Sequence, residues 1–189
     1  MSQSEALINR IKQGDKTAFT AVMELYQDMV YNTAISIVQN AADADDITQD
    51  VFVKFYQTMG TFKGACKLST WLYRITISIT VDTERKKKRK KRFAFAESFF
   101  GKEEEQVTAV EFNHPGIALE KKESAAALFK AMKQLPENQQ IAFMLHKLEG
   151  QNYQEIAEIM NTTLTAVESL MVRAKVNLKK YLQSYYTNI

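Results

Sequence analysis

The most unusual chemistry in this 189-residue sequence is a block of eight consecutive basic side chains, Arg85–Arg92. The whole chain has a net charge of only +3, so the rest of it is acidic on balance. Such a concentrated cationic segment binds dense negative charge, which is either nucleic-acid phosphate or an anionic membrane surface. A solvated segment that only keeps the protein soluble is the third interpretation. The residues on either side of the block must decide between them.

Residue types needed for catalysis or metal binding are scarce. The chain has two histidines and one cysteine, so the usual zinc-ligand spacings are absent, and no glycine-rich phosphate loop occurs. Because Cys66 has no second cysteine to pair with, no internal disulfide forms, which suits a reducing compartment. We see no secretory leader and no apolar run near the ~20 residues that span a bilayer. The sequence predicts a cytoplasmic protein with no catalytic residues, no metal and no cofactor.

Helices should position the functional residues, because only 6 glycines and 2 prolines accompany 46% hydrophobic residues. Apolar side chains recur every three or four positions over residues 4–13, 17–37 and 42–59, which is the spacing of amphipathic helices. A second helical group covers residues 123–183, where Asn152 and Glu155 form a candidate capping box. Between the groups, residues 93–122 carry no helical stripe and predict a linker.

The segment that leads into the basic block has an ambiguous pattern. Ile75, Ile77, Ile79 and Val81 alternate with threonine and serine, as in a half-buried strand. The same segment also fits a helix with Trp71, Leu72, Ile75 and Ile79 along one stripe. β-branched residues weaken a helix without forbidding it, so in an otherwise helical chain we predict a helix.

Two helical patterns near the C-terminus, joined by "NTT" at residues 161–163, have the form of a helix-turn-helix. The second helix of such a pair lies in the DNA major groove, with its N-terminal residues at the base edges. Helical hairpins that do not bind DNA share this spacing. A stand-alone helix-turn-helix regulator is therefore one candidate function, although it leaves the acidic block "DADDITQD" and the block "STWLYRI" unexplained.

Three sequence blocks resemble those of the extracytoplasmic-function (ECF) sigma factors of bacterial RNA polymerase. The blocks are "DADDITQDVFVKFYQ", "LSTWLYRI" and "EGQNYQEIAEIMN" with "VESLMVRAK", in the family's order and spacing. The resemblance implies an all-α protein of two small modules and a flexible linker. Region 2 would span residues 1–92, the linker 93–122 and region 4, a helix-turn-helix, 123–189.

The resemblance also implies roles for particular residues in region 2. Asp46, Gln49 and Asp50 stand where the family binds the β′ clamp helices of core RNA polymerase. The segment "GTFKGACKLS" matches the loop that captures a flipped base of the −10 promoter element, and Phe62 would form either a wall of that pocket or a core anchor. Residues implied to contact −10 DNA are Phe62, Lys63, Trp71, Tyr73, Arg74, Ser78, Arg85, Lys86 and Arg89, although a tryptophan in an apolar stripe also suits the core.

Region 4 departs from the family pattern on the helix that would read the −35 element. Leu170 replaces an arginine, and Glu168 occupies a position that is often basic. In region 2, Ser78 stands where the family usually has asparagine. Residues implied to contact −35 DNA are Thr163, Thr165, Ser169, Arg173 and Lys175.

The implied partners are core RNA polymerase, through its β′ clamp helices and β flap, promoter DNA and an anti-sigma factor. Stable membrane insertion is not expected. A membrane-surface protein is the remaining alternative, because "FAFAESFF" follows the basic block and could supply an apolar face.

We predict that the basic block carries more of the electrostatic attraction to promoter DNA than the second helix of region 4. Replacing Lys86 and Arg89 by alanine should lower the slope of log K against log salt by about 2, since each phosphate contact contributes about 0.9. Replacing Arg173 and Lys175 removes the same charge and should lower the slope less. Equal losses in filter-binding titrations with holoenzyme would contradict the prediction.

Overall fold

The computed structural model describes residues 3–98 and 122–187, and these ranges contain eight α-helices and no strand. The N-terminal module holds α1 (Gln3–Lys12), α2 (Lys16–Val38), α3 (Ala41–Thr58) and α4 (Leu68–Ser98), with a 3₁₀ turn at Met59–Thr61. The C-terminal module holds α5 (Lys122–Met132), α6 (Glu137–Lys147), α7 (Tyr153–Ile159) and α8 (Leu164–Thr187). The predicted all-α fold of two small helical modules is confirmed.

Capping residues fix where the helices of the N-terminal module begin and end. The Asp15 side chain accepts hydrogen bonds from the backbone N–H groups of Thr17 and Ala18 at the start of α2. The hydroxyl of Thr17, those N–H groups and the Arg10 guanidinium hold the pKa of Asp15 at about 2. Asn40 caps α3 in the same way, by accepting from the N–H of Asp43. The Asp15 cap thus lies at the α1–α2 connection, and the Asn40 cap fixes the short α2–α3 connection and so the antiparallel packing of α2 and α3.

Helix α4 is covered on two sides, and this explains its strand-like sequence. Ile75 and Ile79 pack against the core of the N-terminal module, whereas Ile77 and Val81 belong to the core of the C-terminal module. Thr76 and Thr80 lie fully buried between them, and their hydroxyls donate to the carbonyls of Leu72 and Thr76, four residues earlier. The predicted helix is therefore confirmed, and the alternation of isoleucines reflects two packed faces of one helix.

The C-terminal module is built around α8, whose inner face packs on the other three helices. The capping box predicted at α7 is present, since Asn152 accepts from the N–H of Glu155 and the Glu155 carboxylate accepts from the N–H of Asn152. An asparagine cap of this kind contributes about 1 kcal/mol. Asn161, with a φ of 49°, turns the chain from α7 into α8. This produces the predicted helix-turn-helix.

The two modules pack against each other. Ile37 of α2 and Tyr73 and Val81 of α4 are buried in the same cluster as the apolar residues of the C-terminal module. Polar contacts join the modules as well: Gln39 donates to the carbonyl of Phe129 at 2.8 Å, and Lys133 donates to that of Val38 at 3.0 Å. Helix α4 runs on through the basic block to Ser98, past the boundary predicted at residue 92. Most of the predicted linker, residues 99–121, lies outside the described residues.

Candidate nucleic-acid interface

The acidic residues of α3 lie together on one solvent-facing side. Asp46, Gln49 and Asp50 are all exposed, while Ile47 and Val51 point into the core. The same face continues along the helix with two exposed apolar side chains, Val53 and Tyr56, which are 55% and 56% exposed. The sequence blocks did not single out these two residues. Val53 lies three positions after Asp50 and four after Gln49, and Tyr56 lies three after Val53, so helical spacing places both on that face.

A groove of about 570 Å³ borders this face between α1, α2 and α3. Phe19, Met23 and Phe52 form its apolar floor, and Gln49, Val53 and Tyr56 form the rim that belongs to α3. Exposed apolar side chains beside a groove are typical of surfaces that bind another protein. The face therefore combines carboxylates, which suit a basic partner, with an apolar contact area.

The loop before α4 is held by an aromatic cluster. The Phe62 ring lies 4.9 Å from the Trp71 ring, and Trp71 in turn meets the fully buried Phe55 at 5.6 Å. Phe62 and Trp71 are both half-buried, so each has one side in the core and the other towards solvent. Lys63, next in the loop, is exposed. Both rings therefore pack against the core of the N-terminal module, as the core interpretation expects, while part of each ring stays accessible.

Tyr73 is buried between the modules and only 4% exposed, although the sequence predicts a DNA-contacting position for it beside Arg74. Its hydroxyl donates to the Glu149 carboxylate at 3.0 Å and accepts from the Gln151 side chain at 3.4 Å. Burial raises the pKa of Glu149, and burial together with the Glu149 charge raises that of Tyr73. Tyr73 is buried because the C-terminal module covers this side of α4.

Arg74 and Ser78 face a crevice of about 290 Å³ between α4 and helices α6 and α7. The Arg74 guanidinium donates to the backbone carbonyl of Glu158 at 2.6 Å, near the C-terminal end of α7, where the helix dipole favours a cation. Ser78 is exposed at the rim of the crevice. At the N-terminal end of this side of α4, Lys67 pairs with Glu155 at 3.1 Å. The N–H of Asn152 and the Lys67 ammonium lower the pKa of Glu155.

The basic block begins at the contact between the modules and then runs into solvent. Arg85 makes a bidentate pair with Glu137 of α6, at 2.7 Å and 3.1 Å. Lys87 pairs with Asp43 at the start of α3. Lys86 and Arg89 are exposed on the part of α4 that extends beyond both cores.

The outer face of α8 is open to solvent. Thr165, Arg173 and Lys175 are exposed, and Ser169 is half-buried. Thr163 caps the N-terminus of α8, because its hydroxyl accepts a hydrogen bond from the N–H of Ala166. Leu170 packs against the core of the C-terminal module, which explains an apolar residue at this position. Val172 and Val176, not predicted from the sequence, are also exposed on this face, by 62% and 64%.

Two further observations apply to the described ranges alone. They contain no group of three or more histidine, cysteine or acidic side chains placed to hold a metal ion. None of their helices is both long and apolar enough to cross a bilayer.

The described residues combine an acidic and apolar helix face, a loop with half-exposed aromatics, a basic helix and an open helix-turn-helix. Together these features indicate a two-module DNA-binding protein with a protein partner. Residues 22–90 match the family model of sigma-70 region 2, and residues 125–178 match that of sigma-70 region 4. The RNA polymerase sigma-H factor of Pseudomonas aeruginosa is 31% identical over 186 residues, which cover 96% of this chain and 94% of that protein. The ECF RNA polymerase sigma-E factor of Escherichia coli is 27% identical over 172 residues, 90% of each chain.

Solved structures have the same fold. CnrH, in complex with the cytosolic domain of CnrY, superposes with a TM-score of 0.68 at 18% identity and covers 97% of this chain and 99% of its own. The sigma factor RpoE of Bartonella quintana, in complex with the anti-sigma factor NepR, gives 0.59 at 22% identity over 87% of this chain and 96% of its own. The chain belongs to the sigma-70 family and to its ECF branch. It is an alternative sigma factor that directs transcription initiation.

The pKa of Glu149 predicts that module packing depends on pH. Tyr73 donates to this carboxylate, Gln151 donates to the Tyr73 hydroxyl, and Glu155 lies near enough to act on Tyr73. Since the raised pKa belongs to the packed state, packing is strongest below the usual carboxyl pKa of 4.5 and weakens as the pH rises through the raised value. Energy transfer between dyes on the two modules should therefore report more packed molecules at about pH 5 than at about pH 8.

A Glu149→Gln variant is the matched test, because the amide keeps the shape and cannot titrate in this range. Its packed fraction should stay level between the two pH values. An unchanged pH dependence in this variant would assign the effect to other groups.

Proposed function

We propose that the exposed face of α3, made by Asp46, Gln49, Asp50, Val53 and Tyr56, binds the β′ clamp helices of core RNA polymerase. The single observation that supports this most is that the three predicted polar residues share one exposed face with two large apolar side chains. Interfaces combine an apolar centre with a polar rim, and the groove of Phe19, Met23 and Phe52 extends the apolar part. The carboxylates then select a basic partner and speed its association.

Promoter DNA is bound at both modules, taken as region 2 over residues 1–92 and region 4 over residues 123–189. In region 2, Phe62, Lys63 and Trp71 surround a flipped base of the −10 element, because half-exposed rings can stack a base that has left the duplex. Tyr73, Arg74 and Ser78 contact the adjoining strand. Arg85, Lys86 and Arg89 bind phosphates and position the protein without reading sequence.

The −35 element is read by the open face of α8. Thr165, Ser169 and Arg173 lie on its first three turns, where the second helix of a helix-turn-helix meets base edges. Lys175 contributes phosphate binding on the flank. Thr163 acts through its cap, which fixes the N-terminus of α8 towards the DNA.

The packed arrangement of the modules is a closed state for −10 recognition. Tyr73 is buried, the Arg74 guanidinium is held by the Glu158 carbonyl, and Arg85 is held by Glu137. The Glu137 carboxylate binds Arg85 in the bidentate manner in which a phosphate would, so DNA and region 4 compete for the same cation. The modules must separate before α4 can bind the promoter.

Apolar contacts hold this closed state more than its ion pairs do. The Arg85–Glu137 and Lys67–Glu155 pairs are largely exposed and contribute about 0–1 kcal/mol each. Full burial of Ile37 or Val81 contributes up to about 1.5–3 kcal/mol per side chain. Binding of the two regions to separate sites on the polymerase supplies enough free energy to pull them apart.

The catalytic site of transcription belongs to the polymerase, and this chain acts as a non-enzymatic specificity factor in the cytoplasm, where its partners are. The relatives CnrH and RpoE were solved with partner proteins, and NepR is an anti-sigma factor. An anti-sigma factor is therefore the expected regulator of this chain. The apolar groove beside α3 and a second groove of about 550 Å³ lined by Leu128, Phe143 and Leu178 offer it, or the polymerase β flap, a contact on each module.

Core polymerase binding is the first prediction to test. Replacing Asp46, Gln49 and Asp50 by alanine should weaken binding to core RNA polymerase at least tenfold, since a combined loss of about 1.4 kcal/mol from the three polar contacts changes Kd by that factor. Fluorescence anisotropy of the labelled chain with core polymerase measures it, and run-off transcription from promoter fragments checks function. An exposed trio elsewhere, Glu24, Gln27 and Asp28 of α2, is the matched control and should leave binding unchanged.

Core binding unaffected by the α3 variant would contradict the assignment of this face. No core binding by the unmodified chain, with salt-sensitive binding to duplex DNA alone, would favour a stand-alone helix-turn-helix regulator.

Opening the closed state should increase the affinity of the free chain for single-stranded −10 DNA. Ile37→Asp places a charge in the contact between the modules without changing a proposed DNA-binding residue. The variant should bind a −10 oligonucleotide about tenfold more tightly, because about 1.4 kcal/mol of packing no longer opposes binding. Leu25→Asp introduces the same charge at a 63% exposed position of the same helix and serves as the control.

Equal affinities of the Ile37→Asp and Leu25→Asp variants would show that module packing does not restrict the −10 site. Helical content measured by circular dichroism and retained core binding establish that both variants are folded.

A further inference from the structure

The open face of α8 contains one residue, Glu168, whose negative charge opposes the proposed binding of this helix to DNA. Glu168 is exposed on the second turn, next to Thr165 and Ser169, and the apolar Leu164 and Val172 lie one turn before and one turn after it. Among the described residues no ion pair or hydrogen bond to its side chain occurs. Its helical neighbours at three and four positions, Leu164, Thr165, Met171 and Val172, carry no charge. The carboxylate therefore has no cation one turn away from it along α8.

A free carboxylate at this position is unfavourable beside phosphate. Two unit charges 4 Å apart in water repel by about 1 kcal/mol, and by more where solvent is excluded. Replacement by almost any neutral residue would remove this cost, and a glutamate at the fifth residue of α8 lies beyond the first turn, where the helix dipole would favour it most. Folding thus supplies no strong reason for an acid here.

A hydrogen bond to a base at the floor of the major groove would offset this repulsion. The hydrogen-bond donors there are the exocyclic amines of cytosine and adenine. Adenine presents the acceptor N7 next to its amine, which repels a carboxylate, whereas cytosine presents only C–H beside its N4 amine. A carboxylate that accepts from an amine is therefore matched best by cytosine.

The neighbours of Glu168 support such a contact. Leu164 and Val172 are 43% and 62% exposed, so apolar surface lies on both sides of the carboxylate along the helix. In the groove these side chains would exclude water and strengthen the hydrogen bond. Val172 would also contact the methyl group of a neighbouring thymine.

We propose that Glu168 is a specificity-determining residue that selects cytosine at one position of the −35 element by accepting a hydrogen bond from its N4 amine. The proposal rests on the proposed function of region 4, and it goes further by naming a base and the group that reads it. On this proposal, the glutamate that stands at a frequently basic position reads a base, and its effect is more than the loss of a phosphate contact.

The test is selection from promoter fragments that have a fixed −10 element and a randomised −35 element, transcribed by the full chain with core polymerase. The unmodified chain should enrich cytosine at one position. Glu168→Gln should shift that position towards adenine by about tenfold, because glutamine pairs with the N6 and N7 of adenine, and should leave the other positions unchanged. Glu24→Gln, the same change at an exposed site of α2, should behave like the unmodified chain.

Identical base preferences for the Glu168→Gln variant and the unmodified chain would overturn the proposal, as would a uniform gain in binding to all sequences. Either result would leave the function of region 4 standing, because the unmodified chain would still enrich a −35 element. Enrichment of no −35 sequence by the unmodified chain would instead overturn the proposed function of region 4, and this proposal with it.

Discussion

Burial of helix α4 on two sides is the constraint on which the rest of the structure depends. A helix that packs on one module through Ile75 and Ile79 and on the other through Ile77 and Val81 must be apolar almost all round. Threonine hydroxyls at positions 76 and 80 fit in this interior because they donate to carbonyls of their own helix. The same helix carries the side chains that would bind promoter DNA. Module packing and access to the promoter are therefore coupled through one element.

The predicted functional faces of this chain differ in how exposed they are when the two modules are packed together. The acidic face of α3 and the outer face of α8 are open in the packed arrangement, while Tyr73 and Arg74 are covered. With the roles proposed for these faces, polymerase could contact region 2 and DNA could contact region 4 without prior rearrangement. The proposed −10 contacts of Tyr73 and Arg74 would become available only after the modules separate.

Much of the fold could be predicted from the sequence because it depends on local patterns. The amphipathic spacing located the helices, and the Asn152–Glu155 box marked the start of α7. The clustering of Asp46, Gln49 and Asp50 on one face followed from helical geometry alone. The packing of the two modules could not be predicted, because it depends on side chains far apart in the sequence, such as Tyr73 and Glu149, which are 76 positions apart. The alternation of isoleucines in α4 held that information, but a strand produces the same pattern.

The length of α4 limits the stretch of DNA that its proposed contacts can cover. From Leu68, beside the aromatic loop, to Arg92, at the end of the basic block, the helix is continuous and rises about 36 Å at 1.5 Å per residue. Stacked bases rise about 3.4 Å each, so the helix is as long as about one turn of duplex. In the proposed complex, phosphates bound by the far end of the block would therefore lie at most about ten base pairs from the base bound at the loop.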